Sequence, residues 1–284
     1  DPKLQYIPEF IVNEAFSNHG ETLEGAAAAL LEFNCRLIDA LYDIVPAVKP
    51  QAAYYEMYGW PGMRALVKTI AYAKEKGMFV VTDGKRNDIG STMEAYACAH
   101  LGKIKVGNKE YFPFGGDALT VNGYLGTDGI IPLLEVCREF DTGIFVLVKT
   151  SNPSSGDLQD RIVDGQPVYR LMGDLCEQCG KRLPGKSGYS GVGAVVGATW
   201  PQQLTELRAA LPNTFFLVPG YGAQGGKAKD IAGAFDKNGI GCVVNSSRGI
   251  MCAWQAQGCA PQDFANAARR EALRMKADIV AAIK

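Results

Sequence analysis

Residues 77–88 read GMFVVTDGKRND, an apolar run from Met78 to Val81 that turns charged only at its C-terminal end. Unbroken apolar runs of this length suit strands covered on both faces, as in a parallel sheet. The same design recurs in DIVPAVK (43–49), DALTVN (117–122), GIFVLVK (143–149), GAVVGAT (193–199), TFFLVPG (214–220) and GCVVNSS (241–247). Amphipathic stretches separate these runs, among them GMRALVKTIAYAKEKG (62–77), IIPLLEVCREF (130–140) and PQQLTELRAALP (201–212). STMEAYACAHLG (91–102) opens with Ser91 and Glu94 at capping-box spacing, and DFANAARREALRMKADIVAAIK (263–284) reads as a last helix. The polar stretch 151–170 reads as a loop with a short helix.

This alternation gives seven β/α pairs. A (β/α)8 TIM barrel has eight, in roughly 250 residues. An open doubly wound sheet would carry G-x-G-x-x-G after its first strand, where none stands. Polar and glycine signals instead follow nearly every strand, which is how a barrel builds a site at its C-terminal mouth. The expectation is one α/β TIM-barrel domain over 1–284, with its first strand lying upstream of residue 1.

Composition narrows the function. The chain has 284 residues, a net charge of -1 and 33 glycines. Such balance disfavours a broad nucleic-acid surface. No apolar run approaches the roughly 18 residues of a membrane span. No signal peptide is visible at DPKLQYIPEF, so the expected compartment is the reducing cytoplasm. The eight cysteines then need no disulfides. Cys176 and Cys179 form a C-x-x-C in a helix-like stretch without a second ligand pair, so they read as packing residues and no metal is expected. With only His19 and His100 available as imidazole bases, triad chemistry is disfavoured.

Four segments carry chemistry. In a strand, residues two apart share a face, so Asp83 and Lys85 would both face the barrel mouth, with Lys49 from the preceding strand. The competing reading of DGKRND is a solvated turn. Pro219-Gly220-Tyr221-Gly222-Ala223-Gln224-Gly225-Gly226 follows the sixth run directly, and its glycines allow backbone N–H groups to converge on an anion. Arg248 follows the last run, where a guanidinium suits a phosphate. These two loops occupy the usual barrel phosphate position. Finally, Lys149-Thr150-Ser151-Asn152-Pro153 offers groups for a polar ring edge or forms a plain Asn-Pro turn. Asn122 is a similar candidate.

Taken in order, Lys49, D-x-K-x-x-D at 83–88, P-G-x-G-A-Q-G-G and Arg248 resemble the orotidine 5'-phosphate decarboxylase family, in its longer bacterial type 2 subgroup. The resemblance implies conversion of orotidine 5'-phosphate to UMP, the last step of de novo pyrimidine biosynthesis, without metal or organic cofactor. It implies a charged array of Lys49, Asp83, Lys85 and Asp88, with Lys85 as proton donor. It further implies a homodimer in which Asp88 reaches the partner's site, with Thr92 travelling on the same helical face. Ser151 would contact the pyrimidine, Pro219 would lie beside it, and Gln224 and Arg248 would hold the phosphate. Asp1 would bind the ribose. The alternatives are a related Mg-dependent sugar-phosphate decarboxylase or aldolase barrel, and a non-catalytic phosphometabolite-binding barrel.

Overall fold

The computed structural model describes residues 1–222 and 225–284. The chain forms two compact units. The first comprises Asp1–Gly84, Phe114–Gly116 and Ser247–Ala277; the second comprises Lys85–Pro113, Asp117–Ser246 and Asp278–Lys284.

The first unit begins with helices α1 (Glu9–His19) and α2 (Leu23–Leu41). Thr22 caps α2, its Oγ1 accepting from the Gly25 amide at 3.2 Å. Leu30, Phe33 and Leu37 recur at helical spacing and are buried. They join a core with Leu66 and Ile70 of α3 (Gly59–Glu75) and with Phe264, whose ring stacks on Phe33 at 5.2 Å. Inside it, buried Asn34 donates to Tyr55 Oη at 2.9 Å and to Thr69 Oγ1 at 3.1 Å, so its amide is satisfied.

Strand β1 (Ala47–Val48) pairs in parallel with β2 (Phe79–Arg86). The strand expected over 43–49 is therefore two residues long. Pro46 and Pro50 flank it; each accepts through its carbonyl, from Phe79 N and Asp83 N, but neither has an N–H to extend the ladder.

The second unit holds β3 (Ala118–Val121), β4 (Gly143–Lys149), β5 (Val192–Val196), β6 (Phe216–Pro219) and β7 (Cys242–Asn245). All neighbouring pairs are parallel and run in chain order. Every residue of β3 and β5 is buried, as continuous apolar runs require. Helices α4 (Gly90–His100), α5 (Ile131–Phe140), α6 (Val168–Gly180) and α7 (Pro201–Ala210) alternate with these strands. The last helix, α8 (Phe264–Ala282), begins in the first unit.

Three details differ from the expectation. Helix α4 starts at Gly90 with Ile89 as its cap and no side-chain cap bond, so Ser91 lies inside the helix. Residues 162–167 form a small antiparallel hairpin, Ile162–Val163 with Gln166–Pro167. Ile104–Val106 and Lys109–Tyr111 form another. Among the described residues, no helix is long and apolar enough to cross a membrane.

Candidate active site

In the first unit, Lys49 follows β1 and Asp83 lies near the end of β2. Lys49 Nζ is 2.6 Å from Asp83 Oδ2, and the two side chains are only 10% and 7% exposed. Gln51 Nε2 donates to the same oxygen at 3.0 Å. The pairing is braced by backbone bonds, Asp83 N to Pro50 O and Ala52 N to Asp83 O. A carboxylate this buried stays charged only with such donors. Asp1, in the same unit, has a buried Oδ1 without a hydrogen-bond partner among the described residues. An orphaned acceptor suits a ligand hydroxyl. Arg248 opens the short helix Arg248–Met251 and is exposed.

The second unit begins at Lys85. This residue is exposed and stands at φ +47°, in the left-handed region that L residues avoid. Its amide donates to Oγ1 of buried Thr120 at 3.0 Å. Next along, Asn122 N donates to Arg86 O at 3.0 Å, and Asn122 Oδ1 accepts from Tyr124 N, closing a turn.

Asp88 is half-buried and accepts from the Ile89 amide at 2.8 Å. It precedes α4, and Gly90 between them stands at φ +52°. Asp88 and Thr92 are thus not on one helical face, contrary to the expectation; Thr92 is exposed in the first turn.

Ser151 follows β4, with its carbonyl accepting from Thr199 Oγ1 at 3.2 Å. Pro219 ends β6 opposite Asn245 of β7. Gly220, Gly222 and Gly225 stand at φ +101°, +75° and +97°. Among the described residues of this segment, Gly222 N donates to Gly226 O, Gly225 N to Gly222 O and Gly226 N to Gly220 O. These three amides are therefore not aimed at an anion, and the glycines serve the turn. Gln224 lies outside the described residues. The structure adds two residues that the sequence did not single out, and it gives a third, Lys149 of the candidate segment 149–153, a setting that the sequence did not foretell. Gln51 is a second donor to Asp83, Thr120 bonds the Lys85 backbone, and Lys149 has a fully buried side chain. Thr120 was signalled as the one hydroxyl inside an apolar run, and Gln51 by its position two residues after Lys49.

Cys176 and Cys179 lie buried on α6, and burial pushes both thiols above their ordinary range, as packing residues require.

A family model described as "Orotidine 5'-phosphate decarboxylase / HUMPS family" matches residues 27–257. The chain belongs to this family. An orotidine 5'-phosphate decarboxylase of Rhodopirellula baltica is 49% identical over 253 residues, covering 89% of this chain and 82% of that one. One from Caldicellulosiruptor bescii is 42% identical over 283 residues, covering 100% and 92%. The solved structure of Leishmania donovani OMP decarboxylase matches with a TM-score of 0.71 at 30% identity, over 96% of this chain and 98% of that one. The parallel α/β barrel class read from the strand pattern is thus the fold of an OMP decarboxylase.

Proposed function

We infer that this chain is a carboxy-lyase that converts orotidine 5'-phosphate to UMP and CO2, and that Lys85 is its proton donor. Heterolysis of the bond between C6 and the carboxylate leaves the electron pair on C6 of the pyrimidine. Lys85 Nζ, cationic, stabilises that charge and delivers a proton to C6; CO2 leaves, and Lys85 regains its proton from water. Preorganised charge of this kind is usually the largest catalytic contribution. The observation that carries the reading is the 2.6 Å Lys49–Asp83 pair, two residues upstream of an exposed lysine at φ +47°.

Binding is assigned in three parts. Ser151 contacts the pyrimidine edge, with Asn122 and Pro219 beside the ring. Asp1 accepts from the ribose. Arg248 and Gln224 take the phosphate, with the guanidinium supplying charge-assisted bonds. Phosphate binding energy far from the broken bond lowers the barrier when it closes the site.

The active form is a homodimer of single-barrel subunits, with Asp88 and Thr92 entering the partner's site. Next to Asp88, Ile89 is an exposed large apolar residue, as a partner-facing segment requires. The compartment is the cytoplasm, in keeping with eight unpaired cysteines, and the chain falls in the longer bacterial subgroup.

The test is an absorbance assay for loss of orotidine 5'-phosphate, with and without EDTA, on the wild type and Lys85→Ala. Turnover that survives EDTA and collapses by many orders of magnitude in the variant supports the reading. Near-normal turnover by Lys85→Ala, with its fold intact by circular dichroism, sinks it. Loss of wild-type activity in EDTA would favour a Mg-dependent sister enzyme, and UMP binding without turnover a binding protein.

A further inference from the structure

The end of β4 carries a charged arrangement that the proposed chemistry does not use. Lys149 is the last residue of the strand, and its side chain is wholly buried. The β4–β5 register slips between Leu147 and Lys149. Such an irregularity re-aims the side chains beside it. Nζ comes to rest 2.5 Å from Asp160 Oδ1, 3.3 Å from Ser155 Oγ and 4.5 Å from the centroid of the Trp200 ring.

A buried ammonium persists only when paired and hydrogen-bonded. Here the partners come from the far side of the loop that starts at Thr150. The Asp160 side chain is 44% exposed, so the pair runs from the strand end to the outer face of that loop. Other bonds tie the near side. Thr150 N donates to Gln159 Oε1 at 2.9 Å and Gln159 Nε2 returns to Thr150 Oγ1 at 2.8 Å. Trp200 Nε1 donates to Thr150 O at 2.8 Å. Gly197 lets the segment sit close, since a Cβ there would lie 2.8 Å from Ser151 Cα.

We propose that Lys149 is a positioning residue for Ser151: through Asp160 and Ser155 it holds the loop 150–161 so that Ser151 is preset for the pyrimidine edge. The proposal rests on the assignment of Ser151 as the pyrimidine contact. With no exposed surface, Lys149 does not touch substrate itself. A loop ordered before binding removes an ordering cost from association, so its loss is read in affinity. In steady-state kinetics KM rises and kcat changes little.

The test is a double-mutant cycle on UMP affinity by titration calorimetry. Its members are wild type, Lys149→Met, Ser151→Ala and the double variant, with Asp160→Asn alone and combined with Ser151→Ala. Lys149→Met and Ser151→Ala are each expected to weaken UMP about tenfold, on the scale of one lost hydrogen bond. The double variant is expected to bind no more weakly than Ser151→Ala. Asp160→Asn keeps an acceptor at an exposed position and is expected between the wild type and Lys149→Met; should Lys149→Met not fold, it carries the cycle. Additive losses overturn the proposal alone, as does wild-type affinity in Asp160→Asn. Wild-type affinity in Ser151→Ala removes the Ser151 assignment and the proposal with it.

Discussion

The Lys85 amide donates to Thr120 Oγ1 at 3.0 Å while Lys85 itself stands at φ +47°. A left-handed lysine costs about 1–2 kcal/mol, and a hydrogen bond returns about 1 kcal/mol. The two are close enough that losing the bond lets the turn relax. Thr120→Val keeps the shape and removes the acceptor. It is expected to lower kcat by about 100-fold, the scale of a misplaced reacting group, with KM little changed and activity restored in Thr120→Ser. Equal kcat in Thr120→Val and wild type would show that the bond does not aim the lysine.

Lys49 and Asp83 behave differently, because both are nearly buried. Removing one charge strands the other, at about 3–5 kcal/mol. Lys49→Met removes the cation beside Asp83, leaving the neutral Gln51 amide on the same oxygen, and is expected to lower stability on that scale in urea unfolding. Lys49→Met with Asp83→Leu is expected to regain most of it, because an apolar pair has no charge to desolvate, yet to remain inactive. A double variant as unstable as the single would show that packing, not charge, dominates.

The strand runs were legible because burial on both faces leaves continuous apolar sequence, as in Ala118–Val121 and Val192–Val196. The alternation starts at residue 43 and so says nothing of α1 and α2 ahead of it. The 162–167 hairpin had a local signal, Asp164-Gly165 between β-branched and polar residues, and both stand at positive φ (+50° and +80°). Lys85 had none. Nothing in Asp-Gly-Lys announces a left-handed lysine, which depends on Thr120, 35 residues away. Gly220, Gly222 and Gly225 were half legible: glycine there suits the positive φ observed, but the amides of Gly222, Gly225 and Gly226 go to nearby carbonyls that the sequence does not announce.

The shared-site assignment of Asp88 is tested by mixing subunits. In random reassociation of Lys85→Ala with Asp88→Ala chains, half the dimers are mixed and each has one site with both residues, so about a quarter of wild-type activity is expected to return. Activity that stays at the sum of the two parents would place Asp88 in its own subunit's site.

Arg248 is exposed and, among the described residues, its side chain takes part in no hydrogen bond or ion pair, which leaves its guanidinium available to an anion. Arg248→Ala is expected to raise KM for orotidine 5'-phosphate by roughly 10- to 100-fold, the value of a charge-assisted contact. Free phosphite is expected to speed turnover of the phosphate-lacking nucleoside in the wild type and not in Arg248→Ala. Equal activation of both would move the phosphate site elsewhere.

Stability of the first unit is expected to fall in acid through Asp43. Arg269 forks onto this carboxylate at 2.6 and 2.8 Å and also donates to Ala40 O at 2.8 Å, tying α8 to the end of α2. The Arg269 hydrogen bonds hold the Asp43 carboxyl below the usual range. A depressed carboxyl contributes stability above its unfolded value, about 3.9, and loses it as pH falls through the lower folded value. Asp43→Asn has no such titration. Its urea midpoint is therefore expected below wild type at pH 7, with the gap narrowing as pH drops below about 4. Because the pair is exposed, the gap is also expected to shrink in high salt. A gap that stays constant from pH 7 to pH 3 would mean that Arg269 contributes through its bond to Ala40 O and its packing rather than through charge.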